Sequence, residues 1–222
     1  MRTKEQKIRL GILGFIVVAG MIVCALYALV GFGFHTDKAV TDEPNGFGDR
    51  YTGRLYDGTM TGSGILVFDS GDSYEGDFAD GEFSGIGIFT SVNGWTYEGD
   101  FKAGKPDGNG VLTDHRGGIY TGEFREGEIL GQGMFTVPDG WDYDGAWDHG
   151  GVTGEGTFTY ADGSSYVGAF LNGVAEGDGV YTDVGGWIYT GDFSQGLFHG
   201  HGILTYPSGE VTEAEWEKGT LL

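Results

Sequence analysis

A tyrosine recurs every 23 residues along this chain, without insertion or deletion, and this period constrains the fold more than any other feature. Glycine follows each tyrosine after two positions, and an aromatic residue or leucine follows after four. The tyrosines are Tyr51, Tyr74, Tyr97, Tyr120, Tyr143, Tyr166 and Tyr189. An unbroken period of this length indicates a repeat array, in which each unit is stabilised by packing on its neighbours.

Each repeat is predicted to form one β-hairpin. In the second repeat, Tyr74, Gly76 and Phe78 alternate with acidic residues, which is typical of a strand with one apolar and one polar face. A turn sequence follows at residues 79–81, and an apolar run at residues 88–90 predicts the returning strand. A helical repeat is disfavoured, because each of the five glycines per repeat would cost a helix roughly 1 kcal/mol relative to alanine.

The predicted fold is all-β: an elongated single-layer antiparallel sheet of seven 23-residue β-hairpin repeats, preceded by one transmembrane α-helix. The repeats occupy residues 51–211, and residues 212–222 form a C-terminal half-repeat cap. In the cap Trp216 keeps the aromatic position, while Thr212 and Ala214 replace the usual tyrosine and glycine. Alternating glutamates in the cap discourage pairing with the edge of another sheet.

The first 50 residues lie outside the period. Residues 1–9 carry four basic residues and one acidic residue, and residues 10–34 carry no charge. The uncharged stretch is long enough for a helix to cross the roughly 30 Å hydrocarbon core of a membrane. We interpret it as a transmembrane signal anchor with a cytoplasmic N-terminus, so that the repeats lie outside the cytoplasm. A cleaved signal peptide is the alternative, but its apolar region is typically only about 7–15 residues long. Residues 35–50 are interpreted as a linker.

Two further expectations concern the predicted anchor helix. Gly20, Cys24 and Ala28 are spaced by four residues and form a small-residue face, on which two such helices would pack as a homodimer. Cys24 is the only cysteine of the chain, so the repeat array contains neither a disulfide nor a thiolate metal site.

The charge of the chain is strongly acidic. Beyond residue 9 there are 8 basic and 32 acidic residues. Such a surface repels nucleic acid and anionic lipid, both of which are bound by clustered lysine and arginine. It favours cationic partners or divalent ions. Solubility of a glycine-rich sheet is the alternative explanation.

The pattern Tyr-x-Gly-x-Phe-x-x-Gly-x-x-x-Gly-x-Gly, as at residues 74–87, resembles the MORN (membrane occupation and recognition nexus) repeat. The resemblance covers about 170 of the 222 residues. It implies consecutive hairpins in one elongated, twisted antiparallel sheet with a groove, and a function in scaffolding or tethering. Some family members have been linked to phosphoinositide binding, but the acidic surface and the predicted orientation argue against that role here.

The aromatic rows are the candidate binding surface. The tryptophans occupy the same position in alternate repeats and would either stack on a glycan or a peptide or cover a turn. The tyrosines would either line a groove or form the core of the sheet. The candidate residues are Trp95, Trp141, Trp187, Tyr74, Tyr97, Tyr120, Tyr143 and Tyr166.

No cofactor or metal site is predicted. An acidic row on the strand face opposite the tyrosines would bind Ca²⁺ only weakly, because no EF-hand or nonapeptide motif is present. His199 and His201 alternate on one strand but lack a defined third metal ligand. The acidic row comprises Glu75, Asp77, Glu98, Asp100, Glu123, Asp144 and Asp192.

The sequence shows no Ser/His/Asp or Cys/His arrangement, so the protein is not expected to be an enzyme. We expect a membrane-anchored, non-catalytic scaffold whose repeats bind a protein partner. One alternative is an extracytoplasmic module that binds a glycan or another ligand through the aromatic rows. Another is an array that delivers a partner enzyme to the membrane.

Overall fold

The computed structural model describes residues 37–45, 47–138 and 140–222. All 17 strands in these residues belong to one open antiparallel sheet, which confirms the predicted all-β class. None of these residues forms a helix with the length and apolar character that crossing a membrane requires. The predicted basic terminus, signal anchor and helix-packing face lie in residues 1–34, outside the described residues.

The strands fall into two compact units, residues up to 128 and residues 129–222, which we call the N-terminal and C-terminal units. Strands of the N-terminal unit are β1 (Asp37–Pro44), β2 (Arg50–Tyr56), β3 (Thr59–Val67), β4 (Ser73–Ala79), β5 (Glu82–Thr90), β6 (Thr96–Lys102), β7 (Lys105–Thr113) and β8 (Ile119–Arg125). Strand β9 (Glu128–Thr136) opens the C-terminal unit, followed by β10 (Asp142–Asp148), β11 (Gly151–Thr159), β12 (Ser165–Leu171), β13 (Val174–Thr182), β14 (Ile188–Ser194), β15 (Leu197–Thr205), β16 (Val211–Glu217) and β17 (Thr220–Leu221). Within each unit, each strand pairs antiparallel with the next strand along the chain.

Each hairpin closes on a two-residue turn of type I′. In the second repeat, Asp80 and Gly81 both have positive φ, 52° and 84°. This turn matches the right-handed twist of the flanking strands, and it requires positive φ at both central residues. The turn pairs are Asp57-Gly58, Asp80-Gly81, Ala103-Gly104, Glu126-Gly127, His149-Gly150, Asn172-Gly173, Gln195-Gly196 and Lys218-Gly219.

Backbone hydrogen bonds connect each hairpin to the preceding one. The Gly81 N–H of the second hairpin donates to the Met60 carbonyl of the first at 3.1 Å, and Gly104 donates to the Phe83 carbonyl at 3.0 Å. The connection between hairpins is a tight turn, in which Ser91 N–H donates to the Trp95 carbonyl at 2.9 Å. Both kinds of bond recur along each unit, so the repeats are held together by backbone as well as by side chains.

Strand β1 lies within the segment that we interpreted as a linker. It pairs with β2, places Val40 opposite Gly53, and leaves Val40 only 6% exposed. Arg50 forms an ion pair with Asp42, and Arg54 forms one with Asp37. The 23-residue pattern is absent from this segment. An edge strand that buries only one apolar side chain does not require such a pattern.

Candidate protein-binding surface

The tyrosines form the core of one face of the sheet, which we call the aromatic face. Tyr74 lies over the backbone of two paired glycines: a Cβ atom added to Gly76, or to Gly87 on β5, would come within 2.5 Å of its ring or hydroxyl. The Tyr74 hydroxyl donates to the Asp77 carbonyl at 2.9 Å. Phe83 stacks on the outer side of the Tyr74 ring, with the centroids 3.7 Å apart. The tyrosine is therefore enclosed by backbone below and by an aromatic ring above.

Five of the predicted surface residues are fully buried, although the stacked phenylalanine is particular to Tyr74 among them. Their side chains have no exposed area, and each hydroxyl donates to the carbonyl three residues further along the chain. Burial raises the pKa of all five hydroxyls, because the charged form would be poorly solvated. The rings of these five tyrosines are therefore not accessible to a partner. They are Tyr74, Tyr97, Tyr120, Tyr143 and Tyr166.

The three predicted tryptophans are half-buried at the connecting turns. Trp95 stacks on Phe89 with an interplanar angle of 18° and a centroid distance of 5.1 Å. Trp141 lies 5.4 Å from the ring of Phe135, and Trp187 lies 5.3 Å from the ring of Tyr181. Each indole covers an aromatic ring of the preceding strand and keeps part of its surface accessible.

The opposite side of the sheet, which we call the exposed face, carries the acidic residues named in the sequence analysis and, beside them, apolar side chains that were not predicted as part of a binding surface. Glu75 on β4 lies directly opposite Ile65 on β3 and Ile88 on β5. Ile65 is 40% exposed and Ile88 is 41% exposed. Directly opposite residues of an antiparallel pair place their side chains on the same face. Apolar and acidic side chains therefore alternate across the strands of the N-terminal unit.

The C-terminal unit, taken by itself, has a corresponding row on its exposed face. Thr157 lies opposite Val167, Val167 opposite Val180, and Val180 opposite Thr190. Val167 is 50% exposed. The full row of this unit is Met134, Asp144, Thr157, Val167, Val180, Thr190, Ile203 and Glu213.

A match to a known family model identifies the family of these repeats. The model of the MORN repeat matches residues 51–73, 74–96, 97–119, 120–141, 143–165, 166–188 and 189–211. This chain belongs to the MORN repeat family. The match covers the seven repeats that the tyrosine period predicted and confirms the resemblance seen in the sequence.

Solved structures similar to this MORN protein share little sequence with it. One is the SAS-4 (dCPAP) TCP domain of Drosophila melanogaster, in complex with a proline-rich motif of Ana2 (dSTIL): identity 14%, TM-score 0.46, over 85% of this chain and 93% of that chain. Another is the wild-type TCP10 domain of Danio rerio CPAP: identity 18%, TM-score 0.46, over 77% and 81%. The comparison with curated proteins found no match.

Charge is distributed unevenly along the MORN array. Residues 129–222 contain 14 aspartate and glutamate residues but a single base, Lys218, which lies in a hairpin turn. On the exposed face of the N-terminal unit, Arg54, Lys102 and Arg125 lie among the acids. The C-terminal unit is therefore the part of the array with the greater unbalanced negative charge.

The acidic row and the two histidines do not form a metal site. No group of three or more His, Cys, Asp or Glu side chains within residues 37–45, 47–138 and 140–222 has an arrangement that could hold a metal ion. His201 instead pairs with Glu213 at 2.9 Å across neighbouring strands. His199 lies opposite Asp192 in the β14–β15 pair.

One signal in the sequence points to the exposed face. The residue 14 positions after each tyrosine is aliphatic, methionine or threonine in every repeat, although it neighbours acids on the polar side of the sheet. These residues are Ile65, Ile88, Val111, Met134, Thr157, Val180 and Ile203. Their common position on a solvent-facing side could have been recognised once the hairpin register was known.

Proposed function

We propose that this MORN array is a non-catalytic scaffold that binds a protein partner through the exposed face of its sheet. The observation that carries the proposal is that, within each unit, one row of this face contains partly exposed apolar side chains, such as Ile65 and Ile88 in the N-terminal unit and Val167 in the C-terminal unit. The aromatic face is occupied by its own packing, because the rings of Tyr74 and its equivalents are covered. The exposed face therefore offers the apolar area on which a partner would dock.

Site-specific photo-crosslinking tests this proposal. We would place a photo-reactive phenylalanine at Ile88 or Val167, on the exposed face of each unit. Matched control positions are His115 and Ala161, which are exposed at connecting turns. We expect both face positions to give an adduct of one defined mass that the turn positions do not give. If the turn positions give the same adduct, or the face positions give none, the proposal is rejected.

Membrane anchoring is a further part of the proposal. We infer that residues 10–34 span a membrane and that the array lies outside the cytoplasm. The support is the length of the uncharged stretch and the basic residues before it. Protease treatment of intact cells should remove a tag at the C-terminus. A tag that survives in intact cells but is digested after lysis would reject this orientation.

A glycan ligand is the second candidate, favoured by the accessible indole surface of Trp95, Trp141 and Trp187. Stacking of sugar rings on indole would give binding that does not depend on the exposed face. We expect glycan binding, if present, to be lost in the triple alanine variant and retained in V167T/V180T. The converse result would assign the glycan to the exposed face, and equal binding by all three proteins would reject both.

A further inference from the structure

The exposed face of the C-terminal unit combines a row centred on two valines with a neighbouring row that contains two facing aspartates. The first row runs across β9 to β16, with Val167 and Val180 side by side at its middle and the acids Asp144 and Glu213 towards its two ends. The neighbouring row, two residues along each strand, contains Asp178 and Asp192 directly opposite each other. The two rows are separated by about 6.7 Å, the distance that two residues span along a strand.

The Asp178–Asp192 pair places two acidic residues directly opposite each other on β13 and β14. Like charges directly opposite each other in an antiparallel pair destabilise the sheet. Lys218, the single lysine or arginine of this unit, lies in a turn, and the residue opposite Asp192 on β15 is His199. A cation brought by a partner would relieve the repulsion, so part of the binding free energy would come from the receptor itself.

We propose that this face binds an amphipathic helix of a partner protein that is basic along one flank. The proposal rests on the proposed function and names the chemistry of the partner. The apolar stripe of the helix would lie on the row centred on Val167 and Val180, and its lysines or arginines would reach Asp178 and Asp192. On the other side of this row, Thr159, Ser165 and Thr182 are uncharged, and Asp142 is the acid opposite Thr159, so the facing pair of aspartates lies on the Asp178 side.

The length and charge of the face support this occupant. The row crosses eight strands, which at about 4.8 Å per strand is roughly 34 Å before twist. A helix of about 22 residues spans that length at 1.5 Å per residue. A second copy of this chain is disfavoured as the occupant, because residues 129–222 carry 14 acids and one base and would repel an identical surface.

The test uses defined peptides and the full chain, in one zwitterionic detergent with detergent alone as the blank. The probe is a labelled peptide of about 22 residues of leucine and lysine, with leucine at the i, i+3, i+4 and i+7 spacing of one helix face. A peptide of the same composition in scrambled order has the same charge but no apolar stripe. Fluorescence anisotropy at low and high salt measures the affinity of each peptide.

Two variants address the two rows, and a third is the matched control. V167T/V180T keeps β-branched residues in the strands but removes apolar surface, and D178N/D192N removes the facing charges. D183N/E210Q removes the same number of charges from connecting turns. We expect each face variant to bind the patterned peptide about fivefold more weakly, and the turn variant to bind within about twofold of the wild type. D178N/D192N should also reduce the dependence of affinity on salt.

The outcomes separate this inference from the proposed function. The inference would be overturned if the patterned and scrambled peptides bound with equal affinity, or if D183N/E210Q lost as much affinity as the face variants. Either result would show that binding depends only on net charge. If a crosslinked partner at Val167 is neither displaced by the patterned peptide nor affected by D178N/D192N, the partner is not a basic helix, while the proposed function stands. Absence of any adduct at the face positions rejects both.

Discussion

Tyr74 lies flat against Gly87 on the paired strand, and no space remains between them for a side chain. A Cβ atom on Gly87 would lie 2.5 Å from Tyr74 Cε2. We expect G87A to lower the free energy of unfolding by about 1–3 kcal/mol, because the buried ring has to shift to accept the methyl group. Urea unfolding of the wild type and the variant measures this difference.

The control is another glycine without a ring above it. A Cβ atom on Gly151 would meet only the Asp148 carbonyl, at 3.3 Å. We expect G151A to change the free energy of unfolding by less than about 1 kcal/mol. An equal loss in both variants would mean that the tyrosine does not determine the need for glycine at position 87.

The two tryptophans that replace phenylalanine in the aromatic core differ in hydrogen bonding. Trp147 Nε1 donates to the buried Gly133 carbonyl at 2.8 Å. Trp216 Nε1 is buried, and no acceptor for it lies among the described residues. We expect W147F to cost at least about 1 kcal/mol more than W216F, since only the first leaves a buried carbonyl without its donor. Thermal unfolding of both variants, at the same protein concentration, would show the reverse order if the prediction is wrong.

The type I′ turns predict a reciprocal pair of substitutions. Ala103 has a φ of 48° and Asn172 has a φ of 51° at equivalent turn positions. Asparagine tolerates this left-handed conformation better than alanine. We expect A103N to raise the free energy of unfolding by about 0.5–1 kcal/mol and N172A to lower it by a similar amount. Changes of the same sign in both variants would contradict this explanation.

Alkaline pH should destabilise the sheet. Burial, with the negative charge of Asp192, raises the pKa of Tyr189 to about 12, whereas an unfolded tyrosine has a pKa of about 10. Burial also raises the pKa of Tyr74 and Tyr97. The protonated hydroxyls make their full contribution to the free energy of unfolding below about pH 10. This contribution is lost as the pH rises through the pKa values of the folded state. We therefore expect the free energy of unfolding to fall above about pH 10.

Urea unfolding at several alkaline pH values measures this fall, and tyrosinate absorbance shows when the hydroxyls ionise. Y189F removes one of the groups and should make the fall with pH less steep. An unchanged slope in Y189F, or ionisation of the buried tyrosines before the chain unfolds, would be inconsistent with burial as the cause of the raised pKa values.

Much of the fold was predictable from the sequence because its determinants are local. The alternation around Tyr74, the Asp80-Gly81 turn and the glycine at each close approach all act within one hairpin. Strand β1 was not predictable in this way. Its pairing is decided by the open edge of β2, the next strand along the chain, and its own segment has no repeat pattern that predicts a strand.

The candidate surface was less predictable than the fold. The sequence placed the tyrosines and the tryptophans together as aromatic rows. In the structure the tyrosine rings are buried, whereas the tryptophan rings are partly accessible. Phe83 covers Tyr74, whereas nothing in the pattern of a single strand shows which ring lies above another. Likewise, the exposure of Ile88 beside Glu75 appears only when the strands are placed in register.

The sequence by itself determined the repeat unit, the seven hairpin repeats and the glycine-bearing turns, because alternation and glycine placement act over a few residues. The type I′ geometry of the turns, and the further hairpin that β16 and β17 form in the C-terminal cap, came from the structure. Only the tertiary structure decided which face is buried, which rings are covered, and that Asp178 meets Asp192 across two strands. Burial and charge pairing depend on contacts between different strands. The period of the chain repeats these contacts along the sheet, but it does not reveal which side of the sheet they leave open.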